Sequence, residues 1–222
     1  MLNILLVMII SYICGSFPTS IVVSKLAKGI DIRNYGSGNA GGTNVFRVLG
    51  WQYGILVSIV DIGKGVIATL LVSQIRIEQL SFECDMLFKI VAGLSAVIGH
   101  SFTVFAGFRG GKGVATGAGM LISLTPVVFI ACLIIFALVL FSTGIVSVAS
   151  ITTAICFPIA LVLYSVIRGV SIDQTLLIFS LVIPLFIIFT HRHNIIRIFR
   201  GQENKFEKIA IIKNLFKKRK IT

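Results

Sequence analysis

The chain has 222 residues, of which 56% are hydrophobic and 13% charged, with a mean hydropathy of +1.02 and a formal net charge of +12. Soluble domains are about 45–50% apolar and about 25% charged, so this composition excludes a soluble globular enzyme and, equally, a disordered chain. Ten basic and two acidic residues fall within 191–222, which reads as the anionic-leaflet side of a membrane protein and not as a nucleic-acid surface.

A bilayer crossing consumes about 20 apolar residues, and the chain has room for roughly five to seven such segments and little else. Residues 2–24 carry no charge and read as a first spanning helix bent near Gly15 and Pro18. The run is long enough to span and no basic stretch precedes it, so it reads as a retained helix and not as a cleaved signal. Residues 25–51 are polar and glycine-rich, and 52–75 are apolar but contain Asp61 and Lys64. A short acidic connection at 76–85 leads to an apolar stretch at 86–106 holding Lys89 and His100, then to a second glycine cluster at 107–119. Residues 114–167 are uncharged, a polar patch holds Asp173, and a last apolar run at 174–190 enters a basic tail. Cysteines stand at 14, 84, 132 and 156 without a CxxC pair, which speaks against a disulfide framework or zinc site.

The basic loops set the orientation. Lys25, Lys28, Arg33 and Arg47 in the first polar segment, Arg109 and Lys112 in the second, and the tail all belong inside. The N-terminus is then expected outside and the C-terminus in the cytoplasm, which requires an odd number of crossings. Naive hydropathy places three runs in 114–190. Pro126 can split the first of them into a short and a longer helix, giving seven helices; two long tilted helices would give five. Seven is the expectation. The fold class is therefore all-α: one polytopic helical membrane domain over residues 1–222 with a basic cytoplasmic tail at about 207–222.

Three polar clusters fall on the side expected to be cytoplasmic. In the first, Gly36, Gly38 and Gly41 fit GxGxxG, but no strand precedes them and the dinucleotide motif needs one. The physics of the loop is nonetheless that of an anion cradle: glycines let backbone N–H groups converge, Ser37, Asn39, Thr43 and Asn44 add donors, and Arg47 adds a guanidinium suited to phosphate. The second runs from His100 through Arg109, Gly110, Gly111 and Lys112 to Thr116. Its glycine spacing is not that of a nucleotide-cleaving loop. Lys112 stands at a helix entrance, where ammonium and helix dipole can face one anion. The small residues at 117–119 suit close helix packing. In the third, His191 and Asn194 are three apart and share a helical face, His193 lies on another, and Arg197, Gly201, Glu203 and Lys205 follow. Two nearby histidines without clustered carboxylates do not make a metal site. Asp61 and Lys64, three apart inside a span, read as a pair that ties their helix to its neighbours. The side chains at 112, 191 and 194 are expected outside the apolar core.

Together the clusters resemble the bacterial membrane acyl-phosphate:glycerol-3-phosphate acyltransferases. The matching stretches are SGNAGGTNVFR at 37–47, GH at 99–100 with FRGGKGVAT at 108–116, and HRHNIIRIFRGQENKF at 191–206. Gly42 stands where the family often has alanine, Ala40 where proline is common and Arg109 where lysine is common.

The resemblance implies transfer of a fatty acyl group from acyl phosphate to glycerol 3-phosphate, giving 1-acylglycerol 3-phosphate and phosphate, in the first acylation step of phospholipid synthesis. It implies a multi-pass protein of the bacterial cytoplasmic membrane, in contact with membrane lipid, with its active site facing the cytoplasm. An acyl-phosphate-forming enzyme would act upstream. No cofactor, metal or nucleic acid enters, and the oligomeric state stays open. Lys112, Ser37 and His191 are the expected catalytic residues. Gly38, Asn39, Gly41, Thr43, Asn44, Arg47, His100, Gly110, Gly111 and Asn194 are expected to bind substrate. The rival reading is a small transporter or flippase for an anionic substrate. Against it stand the gathering of polar clusters on one side and the lack of an internal repeat. A purely structural anchor leaves the glycines and donors unexplained.

Overall fold

The computed structural model describes residues 1–77 and 85–206; residues 78–84 of the acidic connection, Cys84 among them, and the basic tail at 207–222 lie outside the described residues. The described residues form ten α-helices and no strand. A chain this apolar has to satisfy its backbone polar groups within each segment, and helices do so. They are α1 (Leu2–Ser16), α2 (Thr19–Lys28), α3 (Gly42–Leu49), α4 (Trp51–Leu70), α5 (Asp85–Ser101), α6 (Val114–Leu124), α7 (Pro126–Thr143), α8 (Val146–Arg168), α9 (Gln174–Thr190) and α10 (Arg192–Phe199). Five stretches are long and apolar enough to cross a membrane: Leu2–Lys28, Trp51–Gln74, Asp85–Ala106, Pro126–Thr143 and Val146–Arg168. The α9–α10 pair, bent by 63°, adds a sixth if taken as one, and α6 is a shorter apolar helix. The break expected near Pro18 falls at Phe17–Pro18, and Pro126 separates α6 from α7. A proline cannot donate the amide hydrogen bond that a continuous helix needs there.

The chain forms two compact units, Met1–Pro126 and Val127–Thr222. In the first, small residues bring the helix backbones into contact. A Cβ on Gly15 of α1 would lie 2.0 Å from the Ala96 carbonyl of α5, and one on Gly99 of α5 would lie 2.2 Å from the Tyr12 carbonyl of α1. The α4–α6 crossing is built the same way, with Gly65 against the Thr116 carbonyl and Gly119 against the Ile62 carbonyl, each at 2.0 Å. Dispersion and close approach drive helix association in lipid, where apolar burial gains nothing. The small-residue stripe of α6 therefore serves packing at Gly119, whereas Gly117 is uncrowded. Gly119→Val is expected to force α4 and α6 apart and to lower Tm and the monodisperse yield in detergent. Gly63→Ala, where a Cβ meets nothing within 4 Å, is expected to leave both unchanged. Equal behaviour of the two variants would refute this account of the crossing.

Three hydrogen bonds fix the end of α1 to the chain around the end of α5: Tyr12 Oη to the Phe102 carbonyl at 2.7 Å, Ser16 Oγ to the Gly99 carbonyl at 3.3 Å, and Thr103 Oγ1 to the Ser16 carbonyl. In the second unit α8 packs on α9, with Phe157 and Phe179 edge to face at 6.0 Å. Asp173 caps α9 by accepting from the Thr175 and Leu176 amides.

Candidate active site

In the first unit the loop before α3 is held from within by one side chain. Asn44, 1% exposed, accepts the Ser37 amide at Oδ1 (2.8 Å) and donates from Nδ2 to the Ile32 and Tyr35 carbonyls at 3.1 and 2.9 Å. Both amide protons are thus engaged in the loop, and Asn44 shapes the cradle from within. Gly36 is required at its position, since its φ is +61° and a Cβ would lie 2.3 Å from Asn44 Oδ1. The loop rests on Ile32, Ala40, Val45 and Val57, all buried. Ser37, Asn39, Thr43 and Arg47 are each half-buried at its rim, with Gly38 exposed and Gly41 buried. Upstream, Arg33 pairs with Asp31 at 2.7 Å and donates to the Ala106 carbonyl at 2.8 Å. The Arg33 guanidinium holds the Asp31 carboxyl below its ordinary range.

The second glycine loop folds back onto the end of α5. The Gly110 and Gly111 amides donate to the Ser101 and His100 carbonyls at 3.1 and 3.0 Å. A Cβ on Gly110 would lie 2.0 Å from the His100 carbonyl. One on Gly111 would lie 2.2 Å from His100 Nε2 and 2.9 Å from the Ala40 carbonyl. Gly111 is therefore wedged between the His100 ring and the first glycine loop, and the two loops meet there. His100 is 8% exposed. A pocket lined by Pro18, Ile21, Ala40, Asp61, His100 and Gly110 opens at this junction. Half-buried Lys112 precedes Gly113, the N-cap of α6, so a cation stands at a helix N-terminus.

In the second unit the helix ends at Thr190 and resumes at Arg192, with His191 at the bend. His191 and Asn194 do not lie on one continuous helix, as the spacing suggested, yet both are buried, at 2% and 4% exposure, while His193 is exposed. This corrects the expectation that the first two stand outside the core. His191 Nδ1 lies 2.8 Å from the Ile187 carbonyl. A carbonyl only accepts, so Nδ1 carries a proton and the ring is held in place by this bond.

Beyond α10, Gly201 turns the chain so that Glu203 returns to the helix. Its Oε1 accepts from Asn194 Nδ2 at 2.6 Å and Ser147 Oγ at 3.1 Å, and its Oε2 from Arg197 Nε at 2.8 Å. Burial alone raises the Glu203 carboxyl pKa; the bonds from Arg197, Asn194 and Ser147 outweigh it and hold the group below the ordinary carboxylate range.

In the first unit the hydroxyls of Ser37 and Thr43 and the cations of Arg47 and Lys112 are half-buried at the two loops, a set suited to anionic groups. A family model described as glycerol-3-phosphate acyltransferase matches residues 5–201. The chain belongs to this family. Relatives named glycerol-3-phosphate acyltransferase include one from Pelodictyon phaeoclathratiforme, 46% identical, and one from Chlorobaculum tepidum, 45% identical; each alignment covers 92% of this chain and 97% of the relative. The fold is similar to crystal structures of PlsY (YgiH), an integral membrane glycerol 3-phosphate acyltransferase. Its glycerol 3-phosphate form gives a TM-score of 0.79 at 38% identity, covering 91% of this chain and 95% of that one. Its lysophosphatidic acid form gives 0.78 at 36% identity, covering 94% and 98%. The all-helical integral membrane fold and the place in phospholipid synthesis follow from the family.

Within this family frame, two residues have roles that the sequence reading did not assign. Glu203 and Ser147 organise the third cluster. Glu203 stood in the motif as the lone acid among basic residues, which was the available signal. Nothing in the sequence pattern singled out Ser147, one hydroxyl in a long apolar run.

Proposed function

We propose that this chain transfers a fatty acyl group from acyl phosphate to glycerol 3-phosphate, releasing 1-acylglycerol 3-phosphate and phosphate. The observation that carries the reading is the meeting of the two glycine loops at His100, in a chain that belongs to the glycerol-3-phosphate acyltransferase family. The Ser37–Asn44 loop, with the Ser37 hydroxyl, and the Lys112 ammonium serve the acyl-phosphate group. Arg47, His191 and Asn194 serve glycerol 3-phosphate, with Asn44 and Glu203 shaping the residues that make contact. The glycerol hydroxyl attacks the acyl carbonyl directly, the bond from carbonyl carbon to phosphate oxygen breaks, and the departing phosphate takes the proton. The work of the protein is positioning and charge stabilisation. The setting is the bacterial cytoplasmic membrane with the loops facing the cytoplasm, downstream of an acyl-phosphate-forming enzyme.

The test is purified protein in detergent with synthetic acyl phosphate and labelled glycerol 3-phosphate. Labelled lysophosphatidate and equimolar phosphate are expected, undiminished by chelators. Robust turnover with acyl-CoA or acyl carrier protein instead would overturn the donor. An acyl group trapped on a serine or cysteine, when donor is given without acceptor, would overturn direct attack. Orientation has its own test. Single cysteines at 37–44 and 109–112, on a cysteine-free background, are expected to react only from the cytoplasmic side; labelling from outside would reverse the topology.

A further inference from the structure

The residues expected to be a simple tie between helices do more than pair. Asp61, in the middle of α4 and 2% exposed, offers one oxygen to three partners. Its Oδ1 lies 2.6 Å from Lys64 Nζ, accepts from Thr19 Oγ1 at 2.9 Å, and faces His100 Nδ1 at 3.7 Å. Lys64 Nζ donates in turn to the Phe17 carbonyl at 2.6 Å and lies 5.7 Å from the centre of the Phe17 ring. That carbonyl sits at the break between α1 and α2, before Pro18, where helical bonding is interrupted. Asp61, His100, Pro18 and Thr19 line the same pocket as Ala40 and Gly110 of the two glycine loops.

Stability alone does not call for this arrangement. A buried ion pair replaced by well-packed apolar residues is often neutral or stabilising. What an apolar pair cannot do is bond a hydroxyl and a backbone carbonyl while setting a carboxylate against an imidazole. Here the hydroxyl, the carbonyl and the imidazole belong to the α1–α2 break and to the His100 ring against which Gly111 is wedged.

We propose that Asp61, with Lys64 and Thr19, forms a positioning cluster for acyl transfer. The carboxylate sets the plane of the His100 ring and thereby the seating of the Gly110–Gly111 turn against Ala40, while the ammonium sets the helix break that forms the facing wall. The three act through His100 and the break. The inference rests on acyl transfer to glycerol 3-phosphate and is independent of which acyl donor is used.

The experiment compares full-length wild type, Asp61→Asn, Thr19→Val and Thr19→Ser for Tm, kcat and KM for glycerol 3-phosphate. A displacement of about 1 Å at a reacting centre costs about 10²-fold in rate. Asp61→Asn keeps the shape and an acceptor for Thr19 but loses the charge. It is expected to lower kcat about 10- to 100-fold with KM within about threefold and Tm close to wild type. Thr19→Val, near-isosteric but without the donor, is expected to lose about tenfold in kcat, and Thr19→Ser to recover most of it. Because Asp61 acts through His100, Asp61→Asn added to His100→Asn is expected to cost little beyond His100→Asn alone. A merely structural tie gives the opposite pattern, with lowered Tm and a wild-type kcat per folded molecule, and that result overturns the proposal. If Asp61→Asn fails to fold, the Thr19 pair decides. A wild type silent with acyl phosphate but active with another acyl donor overturns the proposed donor alone, and the variant ratios are then read with that donor.

Discussion

Replacing Lys112 by alanine is expected to lower kcat by about 10²–10³, the usual loss when one preorganised charge partner of a transition state is removed. Lys112 immediately precedes Gly113, the N-cap of α6, and a helix N-terminus carries about half a positive charge. An ammonium beside a helix N-terminus turns two positive ends toward the same anion. As the acyl–oxygen bond breaks, negative charge grows on the departing phosphate, and the ammonium then gains more than it does in the ground state. The effect therefore belongs in kcat more than in KM. Lys112→Arg keeps the charge but spreads it over a planar fork, and is expected to recover part of the rate. Exposed His193→Ala is the control and is expected near wild type. A Lys112→Ala enzyme within twofold of wild-type kcat would remove Lys112 from the donor site.

The helical membrane class was legible because composition left no alternative, and the breaks at Pro18 and Pro126 were legible because proline cannot donate its backbone bond. Helix adjacency was not. That Gly15 meets Ala96 and Gly65 meets Thr116 depends on which small residues face which neighbour, and in a run that is apolar on every face no periodicity marks the contact side.

The clusters were legible as chemistry but not as a division of labour. Asn44 read as one more donor. Only its bonds to Ser37, Ile32 and Tyr35 show that its amide is consumed by the loop. His191 and Asn194 were grouped by helical spacing, and the bend at His191 breaks that premise while leaving both side chains buried. Spacing reports a shared face only while the helix continues. Asp61 and Lys64 were correctly paired by their separation of three, but Thr19 and His100 are 42 and 39 residues from Asp61 along the chain, and local spacing carries no trace of such contacts.

Glu203→Ala is expected to be the most destabilising substitution in the second unit. It removes the acceptor for Asn194, Ser147 and Arg197 together. Asn194 and Ser147 are 4% and 5% exposed and cannot turn to water. Losing the acceptor of a buried donor costs about 1–3 kcal/mol. Arg197 is partly exposed and resolvates, so its ion pair adds little. A loss of about 2–5 kcal/mol follows, or a fall in Tm of roughly 5–15 °C for a chain of this size. Glu203→Gln retains an acceptor oxygen and is expected between alanine and wild type. Because Asn194 is held by this carboxylate, the folded fraction of Glu203→Ala is also expected to show a raised KM for glycerol 3-phosphate. The pH dependence has a definite sign. The folded carboxyl lies below its unfolded value, so its contribution is complete above the unfolded pKa of about 4.3 and is lost as pH falls through the lower, folded value. Between about pH 6 and pH 3, Tm of the wild type is therefore expected to fall more steeply than that of Glu203→Gln. Parallel curves, or a Glu203→Ala protein as stable as wild type at pH 7, would show that the carboxylate does not hold the cluster together.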